Sequence, residues 1–455
     1  MNSNMSFEKD SIWSLIATNG IPAMLTMVVV IIYNLADTFF IGQTGNDLMV
    51  AAVSIAAPIF TLIITIGTLI GTGGCSIISR ASGCKNPDQA RQTSSFCFYV
   101  SLFIGLLFAI VIFVGCTPIL SIIGATENTI EMASDYLRII AIGSPFIIFS
   151  NTMANVIRAA GAARDSMIGN MIGTVINIIL DPVMILLFQW GTAGAAIATV
   201  IGNICACIYY FVFLLRRNST LLSFSIKDFR ISKSISLPVF SIGLPGALSN
   251  LLMSVSNIIM NRYLVPYGDG AVAAMGVAMK IGMIVAMLQM GFCTGILPIM
   301  AYNLGANNMR RTKETIAKSG GVCIVLGSCI TLACFIAVNN LVAAFVTTPE
   351  IIDLGVKMSK AIILSGPILG IYFLTTNIMQ AAGKSLAPIV TSLARQGFVY
   401  IPCLIILDAI LGLDGLMYTQ AISDIVAMLL SVILCVVVMK NLCKPTGPAH
   451  NMQAS

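Results

Sequence analysis

Charge is scarce in this chain of 455 residues, because only 9% of its side chains are charged, whereas soluble domains carry about 25%. Hydrophobic residues make up 58% of the sequence, more than a water-soluble surface can cover. This composition excludes an ordinary soluble enzyme. Most of the chain must face lipid, and at about 20 apolar residues per membrane helix it can form about a dozen spans and no sizeable soluble domain.

Histidine is nearly absent, since His450 in the tail is the only one. The thirteen cysteines are scattered, mostly inside apolar runs, and none forms a CxxC pair. This pattern is typical of reduced structural thiols and not of disulfides or zinc sites. An integral membrane enzyme would need a His, Cys or Ser constellation or a metal motif at membrane depth. We therefore expect no enzyme and no cofactor, apart from a coupling ion.

The apolar runs predict an all-α integral membrane protein with twelve transmembrane helices. The first run continues well past the length of a signal-peptide core, so we expect it to be an uncleaved first span. We expect the spans near residues 12–41, 50–79, 93–115, 134–157, 166–189, 192–215, 236–260, 272–301, 316–339, 358–380, 387–410 and 415–439.

Basic residues concentrate on one side of the membrane that these spans define. With the amino terminus inside, eighteen Lys and Arg residues lie on the inner side, whereas Arg262 lies essentially alone on the outer side. Lys and Arg accumulate in cytoplasmic loops. We therefore predict a multi-pass protein of the cytoplasmic (plasma) membrane with both termini in the cytoplasm.

The two halves of the sequence resemble each other. One constant offset in numbering places Pro145 on Pro367 and residues 159–161 on residues 381–383; we call it the repeat offset. Because each half has six spans, the halves are predicted to be two six-helix lobes related by a pseudo-two-fold axis along the membrane normal, as in transporters that bind substrate between lobes. We expect an N-lobe at 1–215, a basic cytoplasmic linker at 216–235, a C-lobe at 236–440 and a cytoplasmic tail at 441–455.

Two acids lie within apolar runs, Asp37 in the first span and Asp181 in the fifth. Burying a charge in hydrocarbon is costly, so each is a candidate functional residue. Asn177 shares a helix face with Asp181. Asp181 and Thr199 each lie nine residues from Trp190, in the turn between two antiparallel spans, so both should be about 13 Å deep. Carboxylate, amide and hydroxyl oxygens together suit a hard monovalent cation or a proton.

A structural interpretation of the same acids stays open. Asp181 precedes Pro182 and can act as the cap of a proline kink, while Asp37 can extend to the outer interface.

The motifs resemble those of the multidrug and toxic compound extrusion (MATE) family over essentially the whole chain. The resemblance implies an ion site in the N-lobe made of Asp37, Asn177, Asp181 and Thr199. It also implies export of organic, cationic and amphipathic compounds in exchange for H⁺ or Na⁺. The alternative is a lipid-linked oligosaccharide flippase of the related superfamily, which would need a cavity with several basic residues. The segments that carry the resemblance are residues 22–42, 71–83, 159–161 and 177–182.

Substrate-lining candidates are polar or pliable side chains within the spans, and they are Tyr33, Asn34, Asn151, Asn155, Met275, Met279 and Lys280. Each has a structural alternative: the methionines can be core packing, the asparagines on the fourth span can bridge helices, and Lys280 can pair with Asp408 or Asp424. Arg395 is expected in an interface or interlobe pair. The expected partners are small organic cations and the bilayer, with no nucleic acid, and the protein is expected to be a monomer.

Overall fold

The computed structural model describes residues 7–216 and 220–442. The predicted tail from residue 443 onward, the linker residues 217–219 and the first six residues lie outside this range. The described chain is helical, with α1 (Ile12–Gly42), α2 (Asp47–Gly83), α3 (Pro87–Val114), α4 (Cys116–Ile123), α5 (Ile130–Ala159), α6 (Ala163–Pro182), α7 (Gly191–Arg216), α8 (Lys233–Leu264), α9 (Asp269–Gly305), α10 (Met309–Ala343), α11 (Pro349–Ile363), α12 (Gly366–Ala381), α13 (Leu386–Leu393), α14 (Tyr400–Leu411) and α15 (Leu413–Leu442).

Within the described ranges, eleven helical spans are long and apolar enough to cross a membrane, and the bent pair of α11 and α12 forms a twelfth. The predicted all-α fold with twelve spans is therefore confirmed. We call α1–α7 the N-lobe and α8–α15 the C-lobe. The side of the membrane on which α1 begins and α15 ends is called the terminal side below.

Three features of the spans were not predicted. The tenth span is bent by 43° between α11 and α12, where Gly366 and Pro367 follow Ser365 and interrupt the helix. π-helical turns interrupt the fifth span at Val183–Leu187 and the eleventh at Ala394–Phe398. The short helix α4 follows the third span.

The turns on the terminal side repeat the same local structure in both lobes. Lys85 between α2 and α3 has φ 56°, and Asn307 between α9 and α10 has φ 53°. The residue that follows each of them, Asn86 or Asn308, caps the next helix by accepting a hydrogen bond from the backbone N–H three residues on. Asparagine is a preferred N-cap. The repeat offset places one turn on the other, so they are equivalent parts of the repeat.

The lobes contact each other on the terminal side. A Cβ atom placed on Gly83 would meet the carbonyl oxygen of Tyr302, and one placed on Gly305 would meet the carbonyl oxygen of Arg80. Only glycine allows such close approach of two backbones. Further close approaches in the same half of the membrane join Gly73 to Val239 and Gly295 to Asn19.

The predicted linker packs against α3 of the N-lobe. Tyr99 donates a hydrogen bond to the Phe224 carbonyl at 2.8 Å. Arg91 forms an ion pair with Asp228 at 3.0 Å, and the Ser223 hydroxyl donates to the same carboxylate at 2.6 Å. The hydrogen bond from Ser223, followed by the contacts with Arg91, holds the pKa of Asp228 below its usual value.

Candidate functional site

A glycine contact between α6 and α7 brings the candidate ion ligands together. A Cβ atom on Gly173 would lie 2.9 Å from the carbonyl oxygen of Gly202, and one on Gly202 would meet the carbonyl oxygen of Gly173. The two backbones therefore touch at this crossing. One turn further from the terminal side, Asn177 on α6 and Thr199 on α7 face each other.

The amide of Asn177 bridges the other two polar groups of this crossing. The end of the amide that faces α7 lies 3.3 Å from Thr199 Oγ1. When the amide oxygen faces Thr199, that oxygen accepts from the Thr199 backbone N–H at 2.9 Å, while the amide nitrogen donates to Asp181 Oδ2 at 3.3 Å. This orientation satisfies both neighbours, because a carboxylate accepts hydrogen bonds and a backbone N–H donates them.

Asp181 is fully buried, with 0% of its surface exposed. Its Oδ1 atom has no hydrogen-bond partner among the residues that the structure describes. An ionised carboxylate in this state is strongly unfavourable. The orphaned oxygen therefore fits a site whose remaining ligand is a proton or a cation.

The first span supplies the second acid of the cluster. Asp37 is half-buried on α1, and it lies within electrostatic range of Asp181. The Tyr33 hydroxyl, one turn earlier, lies 3.5 Å from Thr199 Oγ1. The structure thus brings Asp37, Asn177, Asp181 and Thr199 together, with Tyr33 beside them.

The cluster also includes Tyr136 on α5, which the sequence analysis missed. This tyrosine is 4% exposed, and both Asp37 and Asp181 lie within electrostatic range of its hydroxyl. Tyr136 is six residues from Ile130, the start of α5, which corresponds to a depth of about 9 Å. The predicted fourth span starts at residue 134, so depth counting from it places Tyr136 near the membrane edge and does not reveal its place in the cluster.

The donor atoms of the cluster are hard oxygens. Among the described residues there is no group of three or more His, Cys, Asp and Glu side chains that could hold a metal ion. Two carboxylates, an amide and hydroxyls favour a proton or a hard cation such as Na⁺ over a transition metal. The donor atoms of this arrangement are therefore suited to a proton or a monovalent cation.

The three asparagines predicted to line the substrate cavity have local hydrogen bonds or helix contacts in the structure. Asn34 is exposed, and its amide donates to the Val30 carbonyl at 2.9 Å. Asn151 and Asn155 are half-buried on α5 and pack against glycines of α2, and the Asn155 side-chain oxygen also accepts from Arg158 at 3.2 Å. The two α5 asparagines contribute to contact between helices, and a role in substrate binding stays a prediction for all three.

Met275 and Met279 are predicted to line a substrate cavity, and the structure places both against the hydrophobic interior of the C-lobe. Met275 is 1% exposed and belongs to a hydrophobic cluster of the C-lobe that includes Met260 and Leu404, and Met279 packs against that cluster. α9 turns this part of its methionine stripe toward the interior of its own lobe. The structure therefore favours core packing at these two positions, and a role in substrate binding stays a prediction.

The prediction that Lys280 pairs with Asp408 or Asp424 is wrong. Lys280 is exposed, and its Nζ lies 5.1 Å from the centre of the Phe345 ring. Asp408 accepts from the Tyr267 hydroxyl at 2.7 Å. Asp424 instead pairs with Arg395 at 2.8 Å, within the C-lobe and not across an interlobe interface. A role for Lys280 in substrate binding stays a prediction.

Twelve membrane helices in repeated halves, with acids buried at membrane depth, are typical of a membrane transporter. The MatE family model matches the chain twice, at residues 22–183 and 245–406. The chain therefore belongs to the MatE family, whose members are transporters, and it is not an enzyme. The two matches coincide with the two repeats.

Named relatives and solved structures agree with this assignment. The chain is 33% identical over 426 residues, 93% of each chain, to the multidrug export protein MepA of Staphylococcus haemolyticus (strain JCSC1435). It is 31% identical over 420 residues, 92% of each chain, to MepA of Staphylococcus aureus (strain MSSA476). An outward-facing multidrug resistance MATE family transporter of the MOP superfamily has the same two-lobe fold, with a TM-score of 0.92, 22% identity and coverage of 97% of this chain and 99% of that one.

Proposed function

We propose that this transporter exports organic, cationic and amphipathic compounds across the cytoplasmic membrane in exchange for H⁺ or Na⁺. The similarity to MepA, whose name describes multidrug export, supports the substrate class. The observation that carries the coupling is the buried Asp181 carboxylate, one oxygen of which has no hydrogen-bond partner in the described chain. A cation or proton at that oxygen compensates the cost of burying the charge.

The proposed orientation puts the terminal side in the cytoplasm, where its many basic residues favour it. With that orientation, the glycine contacts close the lobes on the cytoplasmic side, and the described conformation faces outward. The protein is proposed to work as a monomer, since each chain carries both lobes.

The proposed mechanism is an exchange between ion and substrate. In the outward-facing state, Asp37 and Asp181 take up the proton or cation. A shift of α1, which contains Pro22, then lowers the affinity for substrate and releases it outside. Closure on the outer side returns the ion to the cytoplasm. The ion drives this cycle only to the extent that it binds the two conformations with different affinity.

The test is gradient-driven transport of the cationic dye ethidium in reconstituted vesicles, under a pH gradient and a Na⁺ gradient applied separately. We expect Asp181→Asn and Asp37→Asn to lose transport with both gradients. Asp165→Asn is the matched control, because Asp165 also lies on α6 but accepts a hydrogen bond from Tyr209 at the opposite end of the helix. Full transport by Asp181→Asn would show that the coupling site lies elsewhere.

A further inference from the structure

Arg395 and Asp424 form an ion pair deep within the C-lobe. The guanidinium Nε lies 2.8 Å from Asp424 Oδ1, and the two side chains are 12% and 3% exposed. Neither residue belongs to the N-lobe ion site. A charged pair at this depth loses hydration, so its presence needs an explanation beyond stability.

The ion pair occupies the C-lobe positions that correspond, in the repeat, to the contact between Gly173 and Gly202 in the N-lobe. At the repeat offset, Gly173 corresponds to Arg395 and Gly202 to Asp424. The same offset relates the start of α7 at Gly191 to the start of α15 at Leu413. In the N-lobe the two backbones touch at this crossing and place Asn177 beside Thr199. In the C-lobe the corresponding positions carry the charged side chains of Arg395 and Asp424.

Both carboxylate oxygens of Asp424 accept hydrogen bonds, and the Arg395 guanidinium also lies beside two aromatic rings. Asp424 Oδ1 also accepts from Gln420 at 2.8 Å, and Oδ2 accepts from the Ser365 hydroxyl at 2.7 Å. The guanidinium carbon lies 5.1 Å from the ring centre of Tyr372 and 5.3 Å from that of Phe373, distances at which a cation is attracted to an aromatic face. Both oxygens of Asp424 therefore already have partners, and the cationic partner is Arg395.

The network joins two interrupted spans of the C-lobe to the continuous helix α15. Ser365 lies at the bend between α11 and α12, Arg395 lies in the π-helical turn between α13 and α14, and Asp424 lies on α15. The other titratable side chains that act on the pair are Tyr372 on α12 and Tyr400 on α14. The positive charge that faces Asp424 from these elements is that of Arg395.

We propose that Arg395 is a tethered counter-ion that occupies Asp424 permanently, so that ion exchange is confined to the N-lobe. The inference rests on the proposed coupling at Asp181. In the N-lobe a mobile proton or Na⁺ neutralises a buried acid and leaves again. In the C-lobe the guanidinium does the same and cannot leave, so the C-lobe keeps one electrostatic state throughout the cycle.

The inference predicts that removing Arg395 creates a second ion site. We would measure the melting temperature of the purified transporter against Na⁺ concentration and, in separate samples without Na⁺, against pH. A ligand that binds only the folded state raises the melting temperature. The wild type should respond to ions, Asp181→Asn should not, Arg395→Met in the Asp181→Asn background should respond again, and adding Asp424→Asn should abolish that response.

The outcomes separate the two proposals. If Asp181→Asn alone still responds like the wild type, the proposed N-lobe coupling is wrong. If Asp181→Asn has lost the response and the folded double variant does not regain one, Arg395 is not a tethered counter-ion.

A further variant covers the case in which the unpaired Asp424 prevents folding. Arg395→Met with Asp424→Leu replaces the pair by apolar side chains of similar volume, a change that buried ion pairs often tolerate. With Asp181 intact, this variant should transport ethidium with wild-type ion dependence. A changed ion dependence would overturn the inference, because the pair would then take part in coupling itself.

Discussion

Gly83 and Gly305 hold equivalent places in the two repeats, and each packs against the backbone of the other's helix. Gly83 on α2 meets the carbonyl of Tyr302 on α9, and Gly305 meets the carbonyl of Arg80. The repeat offset that places Gly83 on Gly305 also places Arg80 on Tyr302. The pseudo-two-fold axis therefore passes between these two contacts, and the interlobe closure is itself symmetric.

Gly305→Ala should open this closure. The new methyl group would overlap a backbone carbonyl that cannot rotate away, and such overpacking costs about 1–3 kcal/mol. These backbones touch in the conformation in which the lobes are closed on the terminal side. The substitution therefore destabilises that conformation and shifts the population away from it. Spin labels on α2 and α9 at the terminal side should show a longer distance by double electron–electron resonance.

The control for this substitution is Gly276→Ala, also on α9. No atom lies within 4 Å of a Cβ atom at Gly276. This variant should keep the wild-type distance distribution. Equal distance distributions for Gly305→Ala and the wild type would mean that the close contact at Gly305 does not stabilise the described conformation.

The acidic cluster could be predicted from the sequence because the short turn at Trp190 determines how the fifth and sixth spans align. Trp190 lies between two antiparallel spans, so counting residues from it determines the relative depth of Asp181 and Thr199. The contact between Gly173 and Gly202 then brings the polar groups into hydrogen-bonding distance. The glycine spacing was visible in the sequence, but which glycines face each other depends on how the helices cross.

The sequence placed the C-lobe side chains less well, because depth does not determine the direction in which a side chain points. Met275 and Met279 lie on α9 as expected, yet α9 packs that face against other helices of its own lobe. Lys280 had two candidate acids at suitable positions in the sequence. Both acids have other partners, Arg395 and Tyr267, and a single sequence contains no information on helix rotation that could have distinguished them.

Thr199→Val should weaken ion binding without unfolding the site. Valine keeps the branched shape of threonine and removes the hydroxyl that contacts Asn177 and Tyr33. The loss of one such hydrogen bond, about 0.5–1.5 kcal/mol, predicts an ion affinity roughly three- to tenfold lower by titration of the melting temperature. Thr192→Val is the matched control on the same helix, since its hydroxyl bonds the Met132 carbonyl at 3.0 Å. A lower affinity in both variants would point to general loosening of α7.

Gly202→Ala should separate the two halves of the ion site. The added methyl group would press on the Gly173 carbonyl and on Asn177, which moves Asn177 away from Thr199. We expect a loss of about 1–3 kcal/mol in stability together with a loss of the ion-dependent rise in melting temperature. Gly321→Ala on α10, where a Cβ atom has open space, should be neutral or slightly stabilising. An unchanged ion response in Gly202→Ala would show that the close crossing is not needed.

Acid should loosen the linker from α3 through Asp228. The hydrogen bond from Ser223 and the ion pair with Arg91 keep the pKa of Asp228 below its usual value, which is about 3.9. Because the pKa of Asp228 is lower in the folded state, its ionised carboxylate stabilises the attached linker at pH values above the ordinary pKa. This stabilisation is lost as the pH falls through the lower pKa of the folded state. Hydrogen exchange across residues 220–232, corrected for the intrinsic rate, should therefore accelerate below about pH 4.

Asp228→Asn should exchange faster at neutral pH and show little further change on acidification. The effect should be a few-fold at most, because exposed ion pairs contribute less than about 1 kcal/mol. Ser223→Ala should reduce the acid-induced increase in the exchange rate more than Arg91→Gln does. The reason is that the Ser223 hydrogen bond is the larger cause of the lowered pKa of Asp228. Asp228→Asn could instead remain as sensitive to acid as the wild type. The linker would then be attached by the hydrogen bonds that the hydroxyls of Tyr99, Ser94 and Ser95 donate to its backbone carbonyls, and not by the carboxylate.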